Sequence, residues 1–157
     1  MRRYLLEVEE EECWGCRACE VACKQEHRLP AGLRLIRVVE DGPRMTEGRP
    51  FFLYRLHLCR HCEQPSCLPT CPEGAISQRA DGIVILDEKR CSGCRACLEA
   101  CPYQAIVFDP EQGVARKCNL CHHRVDQGLL PACADGICLA HCIRLVSRPA
   151  PASATGL

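Results

Sequence analysis

Seventeen of the 157 residues are cysteine, and their spacing is the chemistry this sequence offers. They fall into four blocks. Cys13, Cys16, Cys19 and Cys23 are spaced C-x2-C-x2-C-x3-C, and Cys59, Cys62, Cys67 and Cys71 follow as C-x2-C-x4-C-x3-C. Cys91, Cys94, Cys97 and Cys101 repeat the first spacing, while Cys118, Cys121, Cys133, Cys138 and Cys142 form a last block of five. Three thiolates in so short a loop wrap one face of an iron–sulfur cubane, and the fourth cysteine points away to the other cluster of a pair. Zinc takes two plus two ligands from separate knuckles and has no use for a third cysteine in one loop. Four sets of four thiolates leave one cysteine over.

The elements that hold these loops have little apolar material to draw on. The hydrophobic fraction of 47% counts the cysteines, and without them roughly 36% remains, with only seven aromatic residues. A chain this poor in oily side chains needs something bound to its cysteines to do part of the work of a core. Lys+Arg 20 balances Asp+Glu 20, so no basic footprint for nucleic acid exists. No apolar run approaches the ~20 residues that cross a bilayer. The N-terminal stretch turns acidic at Glu7 without an apolar segment, unlike a secretory or twin-arginine leader. The expected setting is the cytoplasm, where cysteines favour metal over disulfides.

An internal repeat organises the middle of the chain. Cys71-Pro72-Glu73-Gly74-Ala75-Ile76 and Cys101-Pro102-Tyr103-Gln104-Ala105-Ile106 share the pattern C-P-x-x-A-I. It reads as cluster loop, short helix, then strand, with Pro72 and Pro102 in the first helical turn. Hairpin signals follow each copy. Asp81-Gly82 turns into Ile83–Leu86, and 109–113 turns into Val114-Ala115. Between the first two blocks, 33–39 and 51–56 read as strands with a turn at Asp41-Gly42-Pro43. This hairpin either docks a partner or covers the outer cluster pair.

The blocks, with 19–26, 59–67 and Lys117-Cys118-Asn119-Leu120-Cys121 followed by Gly128 and Pro131-Ala132-Cys133, resemble the four-cluster iron–sulfur subunits of molybdenum and tungsten oxidoreductases. The resemblance covers residues 1–146. It implies an α+β fold of two interleaved bacterial-type dicluster ferredoxin-like halves with a β-hairpin insertion. The outer half would be 1–30 plus 114–146, the inner half 58–113, the hairpin 31–57, and 147–157 a flexible Pro/Ala-rich tail. It also implies four [4Fe–4S] clusters. Cys59, Cys62 and Cys67 would hold one, completed by Cys101, and Cys91, Cys94 and Cys97 another, completed by Cys71. Cys13, Cys16 and Cys19 would hold a third, completed by the last cysteine of block four. Cys118, Cys121 and a further block-four cysteine would hold the fourth, completed by Cys23.

Block four departs from that family's pattern, in which Pro-Ala-Cys is followed by three residues and Cys-Pro. Here Cys138 comes one residue late, Cys142 follows at x3, and neither precedes proline. Cys133 as third ligand and Cys142 as swapped fourth is the preferred reading, which leaves Cys138 spare.

The implied function is single-electron relay. Its partners would be a tungsten or molybdenum pterin catalytic subunit and a flavin/NAD-linked or other redox partner. The stretch 23–32 and the ending 134–142 most resemble the small subunit of bacterial tungsten-dependent aldehyde oxidoreductase, which implies a parent reaction of aldehyde to carboxylic acid. Formate dehydrogenase or hydrogenase-linked subunits and a free polyferredoxin are the rival readings. No catalytic constellation or phosphate-binding loop is visible. Of the six histidines, His61, His122 and His123 lie beside cluster cysteines, as packing residues or donors to cluster sulfurs. Arg17, Lys24, Arg60, Arg95 and Lys117 also flank ligands, either as stabilising cations or as ordinary surface. Glu7 and 9–12 form an acidic run of the kind that usually lies on a solvated face or a strand edge.

Overall fold

Four two-stranded antiparallel ribbons carry the cysteine loops in the computed structural model, which describes residues 2–134 and 136–149. The first ribbon joins the two ends of the described chain. Strand β1 (Arg2–Val8) pairs with β8 (Ile143–Pro149), from Arg2 opposite Pro149 to Val8 opposite Ile143. Leu6 and Ile143 turn inward, while Glu7 pairs with Arg148 and Glu9 with Arg144 at the surface. Part of the acidic run is therefore bound to the opposite strand. The strand also continues through Ser147, Arg148 and Pro149, past the boundary expected at 146, and the rest of the expected tail lies outside the described residues.

Helix α1 (Ala18–Glu26) follows the first loop and places Cys19 and Cys23 four residues apart on its buried face. The long hairpin comes next, as β2 (Ile36–Thr46) and β3 (Arg49–Leu58). Its turn is not at Asp41-Gly42-Pro43, as the sequence suggests, but at Glu47-Gly48. Both of these have positive φ (50° and 75°), the conformation that closes a two-residue hairpin with the right twist. Gly42-Pro43 sits inside β2 as a bulge between Asp41 and Arg44. The ribbon tolerates proline there, because the bulge takes Gly42 and Pro43 out of the ladder.

The base of the hairpin is fixed by carboxylates. Val38 N–H donates to Glu20 Oε1 at 2.6 Å, and Leu56 N–H donates to Glu10 Oε1 at 2.9 Å. Glu10 also takes Arg55 at 2.8 Å, and its carboxyl is held below the usual range because these donors outweigh the upward push of burial.

The repeat builds the remaining ribbons. Helix α2 (Cys67–Thr70) leads to β4 (Ile76–Gln78), which pairs with β5 (Val84–Leu86). Helix α3 (Ala96–Ala100) leads to β6 (Ile106–Asp109), which pairs with β7 (Val114–Lys117). Both expected hairpins are present. The helix, however, precedes each Cys-Pro pair instead of following it. A residue before proline is disfavoured in the α region, and Cys71 (φ −82°, ψ 109°) and Cys101 (φ −83°, ψ 108°) are extended. Proline here stops a helix, and 72–73 and 102–103 form a turn. Helix α4 (His122–Val125) completes the elements.

The buried apolar residues divide into one large and two small groups, each containing cysteine. Leu6, Ile36, Val38, Leu56, Leu58, Ile83, Leu120 and Ile143 pack with Cys19, Cys23, Cys133, Cys138 and Cys142. Ile76, Val84, Ile106 and Ala115 pack around Cys97, and Ala105 joins Cys59 and Cys118. The first group holds most of the buried apolar residues, and five of its members are cysteines. Among the described residues, no helix is long and apolar enough to cross a membrane.

Candidate iron–sulfur sites

All four cysteine blocks begin with the same backbone device. The residue two places after the first cysteine is left-handed in each: Gly15 (φ 68°), His61 (46°), Gly93 (74°) and Leu120 (57°). This conformation turns successive amides inward, so that Gly15 N–H points at Cys13 Sγ (3.5 Å) and Leu120 N–H at Cys118 Sγ (3.3 Å). Such concave rows of N–H groups suit an anionic sulfur cluster. The distal cysteines receive the same treatment, with Ala75 N–H on Cys71 Sγ (3.3 Å) and Ala105 N–H on Cys101 Sγ (3.4 Å). Ala115 N–H on Cys91 Sγ (3.4 Å) ties β7 to the third loop.

Gly93 shows how tight this is. A Cβ there would stand 2.2 Å from the carbonyl oxygen of Gly113. Gly93→Ala is therefore expected to lose about 1–2 kcal/mol to left-handed strain alone, with a backbone clash added. Gly113→Ala, where a Cβ meets nothing within 4 Å, is the control for strain without clash. Thermal unfolding of the anaerobically purified variants should place Gly93→Ala well below Gly113→Ala, and equal midpoints would show that the loop can give way.

The fold gathers the thiols as sets. Cys62 and Cys67 both lie within electrostatic reach of Cys59 and Cys101. All four line one cavity, whose wall includes Val84, Ile106 and Lys117. Cys97 lies near Cys91, Cys71 and Cys94. Cys133 faces Cys118, Cys23 and Cys121. Around Cys13 the arrangement is different, because Cys19, Cys138 and Cys142 crowd together with it. Cys19 feels Cys13 and Cys138, Cys142 hydrogen-bonds Cys13, and the Cys138 and Cys142 sulfurs are 3.4 Å apart. Interactions also cross between sets: a charge on Cys59 acts on Cys118, and a charge on Cys19 acts on Cys23 and Cys133. The thiols exposed to solvent are Cys16 and Cys94.

None of the 17 cysteines is in a disulfide. Burial first, then neighbouring thiols, push Cys97 up to about 11, and burial with Cys59 pushes Cys118 up to about 12. Cys19 rises to about 12 through burial and the charges of Cys13, Glu20 and Cys138, although the Glu20 N–H opposes the shift. Cys23, Cys133 and Cys142 are pushed further for the same chief reason, burial. Such groups are poor nucleophiles and become thiolates only beside a strong Lewis acid. Among the described residues, no three His, Cys, Asp or Glu side chains converge closely enough to hold one metal ion. The sets are wider than a lone tetrahedral ion requires.

An orphan donor points the same way. His61 is fully buried in the Cys59–Cys62 loop and its Nδ1 accepts the Val84 N–H at 3.0 Å. Burial, Lys117 and Arg3 keep it neutral, well below the ordinary histidine range. The remaining proton is therefore on Nε2, which has no protein partner. An acceptor supplied by a cofactor would satisfy it. Donor chemistry, loop geometry and this orphan all fit iron–sulfur clusters.

The other histidines sort differently from their sequence positions. His122 faces Asp126 at 3.8 Å, and His123 faces Glu26 at 2.7 Å. It is His27, 94 residues away in sequence, that lies 3.3 Å from Cys121 Sγ. Only a tertiary contact could have shown this. Of the flanking cations, Arg60 sits over Tyr103 and Arg95 over Phe108, while Lys117 is buried. Sequence reading also missed Asp109, which is buried and takes Arg116 at 2.7 Å and the amides of Glu111 and Gln112. It locks the β6–β7 turn under Cys91.

Known proteins share this pattern. The 4Fe-4S dicluster domain family matches residues 50–148, and a 4Fe-4S binding domain matches residues 10–26. The sequence is 41% identical over 138 residues to a tetrathionate reductase subunit of Salmonella typhimurium, which covers 85% of this chain and 54% of the relative. It is 37% identical over 143 residues to a component of the anaerobic dimethyl sulfoxide reductase of Haemophilus influenzae (86% and 70%). It is 38% identical over 135 residues to the thiosulfate reductase electron transfer subunit of Salmonella typhi (85% and 70%). The chain thus spans little more than half the length of the tetrathionate reductase relative. With the thiol sets, the inward-turned amides and matches across both halves of its length, this protein belongs to the 4Fe–4S dicluster family that includes these reductase iron–sulfur subunits.

Proposed function

We propose that this protein relays single electrons through four [4Fe–4S] clusters to or from a pterin-containing catalytic subunit. The observation that supports this reading is that each group of thiols adjoins the next. The set of Cys71, Cys91, Cys94 and Cys97 adjoins the set of Cys59, Cys62, Cys67 and Cys101 through the packed α2, α3, β4 and β6. Cys59 and Cys118 then share one apolar group, which links the inner pair to the set of Cys118, Cys121, Cys133 and Cys23. Cys23 and Cys19 on α1 lead to the last set, with Cys13 and Cys16. The two exposed cysteines, Cys94 and Cys16, belong to the first and last of these sets. A bound cluster supplies one-electron chemistry. The protein holds the sulfurs, keeps water from the middle sets and leaves one loop at each end open to a partner. On this reading the two ferredoxin-like halves are interleaved, with the inner half carried between the two parts of the outer half.

The parent enzyme is the finer question. The pattern in 23–32 and the ending 134–142 support the tungsten aldehyde oxidoreductase, with a flavin/NAD subunit as the second partner. The overall similarity supports a molybdopterin reductase of the kind that acts on tetrathionate, dimethyl sulfoxide or thiosulfate. Native mass spectrometry of the complex isolated without oxygen tests both levels. About 16 iron atoms per chain are expected, together with a pterin subunit whose metal and substrate decide the parent. A chain isolated anaerobically without iron or acid-labile sulfide would end the electron-relay reading.

A further inference from the structure

The inner sets show what a swapped fourth ligand looks like. Cys71 and Cys101 each stand five residues before the first residue of a strand, Ile76 and Ile106. Three residues after each comes a left-handed residue, Gly74 (φ 56°) and Gln104 (49°), whose N–H returns to the cysteine carbonyl at 3.1 Å. Next comes a buried alanine, Ala75 or Ala105. Block four repeats every step with Cys138. Ile143, five residues on, opens β8. His141 is left-handed (φ 51°), and its N–H returns to the Cys138 carbonyl at 2.9 Å. The place of the buried alanine is taken by Cys142, which is 2% exposed against 2% and 3% for Ala75 and Ala105. Cys142 reaches the sulfurs of both Cys138 (3.4 Å) and Cys13.

We infer that Cys138 is the fourth ligand of the set formed with Cys13, Cys16 and Cys19, and that Cys142 is a non-ligating thiol donating its S–H to ligand sulfurs. This reverses the preference that spacing alone gives, because the x3 gap from Cys138 to Cys142 imitates a ligand pair while the backbone imitates C-P-x-x-A. It rests on the four-cluster reading above. When Cys138 and Cys13 are thiolates bound to iron, neither carries a proton, so the donor is the single S–H of Cys142, shared between the two sulfurs. A hydrogen bond to a ligand sulfur favours the more negative, reduced cluster. The cluster at the Cys16 end is therefore tuned upward by a side chain that the inner sets lack.

Cys142→Ala installs the residue found at the two equivalent positions. It should keep the full iron and acid-labile sulfide content of the wild-type chain. In an EPR-monitored redox titration, one cluster alone should move to lower potential. Cys138→Ala should lose one iron or one whole cluster from the same set. Loss of iron in Cys142→Ala with full iron in Cys138→Ala would overturn the assignment. Full iron in both would overturn it as well, since either thiol would then suffice. Full iron in Cys142→Ala with no potential moved would remove the donor role. A wild-type chain without four clusters is the separate result that strikes the underlying reading.

Discussion

Cys97→Ser is expected to take about four irons from each chain, leaving about 12 of about 16, and to stop relay from the Cys94 end. Cys97 is buried on α3 with Cys91, Cys94 and Cys71 beside it and Ile76, Val84, Ile106 and Ala115 packed around it. Serine is close in volume, so the apolar shell survives. What disappears is the soft sulfur that iron prefers. Electron throughput should fall at least about 100-fold, the upper end of what losing a supporting residue around a metal costs. A separate catalytic subunit should still bind its substrate. The check is an iron assay with steady-state turnover of the purified complex, using one acceptor that enters at the catalytic subunit and one that does not. Unchanged throughput with the distal acceptor would show that electrons do not pass through this set.

Lys117→Met should lower two potentials at once. Lys117 is 7% exposed and its Nζ donates to the Val84 carbonyl at 2.5 Å and the Cys118 carbonyl at 2.6 Å. It lines the cavity of Cys59, Cys62, Cys67 and Cys101, and its charge eases the thiolate at both Cys67 and Cys118. One buried cation thus serves two neighbouring sets. Methionine fills the stem's volume and removes the charge. Each orphaned carbonyl costs about 1–3 kcal/mol, so a lower unfolding midpoint is expected. A merely structural role would stop there. Weakening by a factor of ten corresponds to about 59 mV for a one-electron couple, and a fall of at least this order is expected in each flanking cluster. An EPR-monitored titration that finds a destabilised protein with unmoved potentials would limit Lys117 to its two carbonyl contacts.

The cysteine loops and the hairpins after them were legible because their determinants are local. Spacing fixes a loop, and Asp81-Gly82 closes β4 onto β5 within a dozen residues. The long hairpin was half legible. Its strands are strongly β-forming, but Gly42-Pro43 resembles a turn more than Glu47-Gly48 does, and only pairing across the ribbon shows which one reverses the chain. The β1–β8 ribbon gave no signal of its own, since each strand is specified by the other across some 140 residues. His27 at Cys121 and Glu20 at Val38 belong to the same class of long-range contact. In the last block spacing and backbone point to different cysteines. The repeat persists in the backbone turn at Cys138, Leu139, Ala140, His141 and Cys142, but without the proline that marks it elsewhere.

The ribbon between the two ends of the described chain sets an order of assembly. On the four-cluster reading every thiol of the inner sets lies between Cys59 and Cys101, and only β7 must follow to close their loops. The outer sets need Cys13 to Cys23 to wait for Cys118 to Cys138, and β1 has no partner until β8 emerges. Loop closure over that distance is entropically dear and slow. On the four-cluster reading, the inner sets are complete in the chain before the outer ones, so maturation would run from the centre outward.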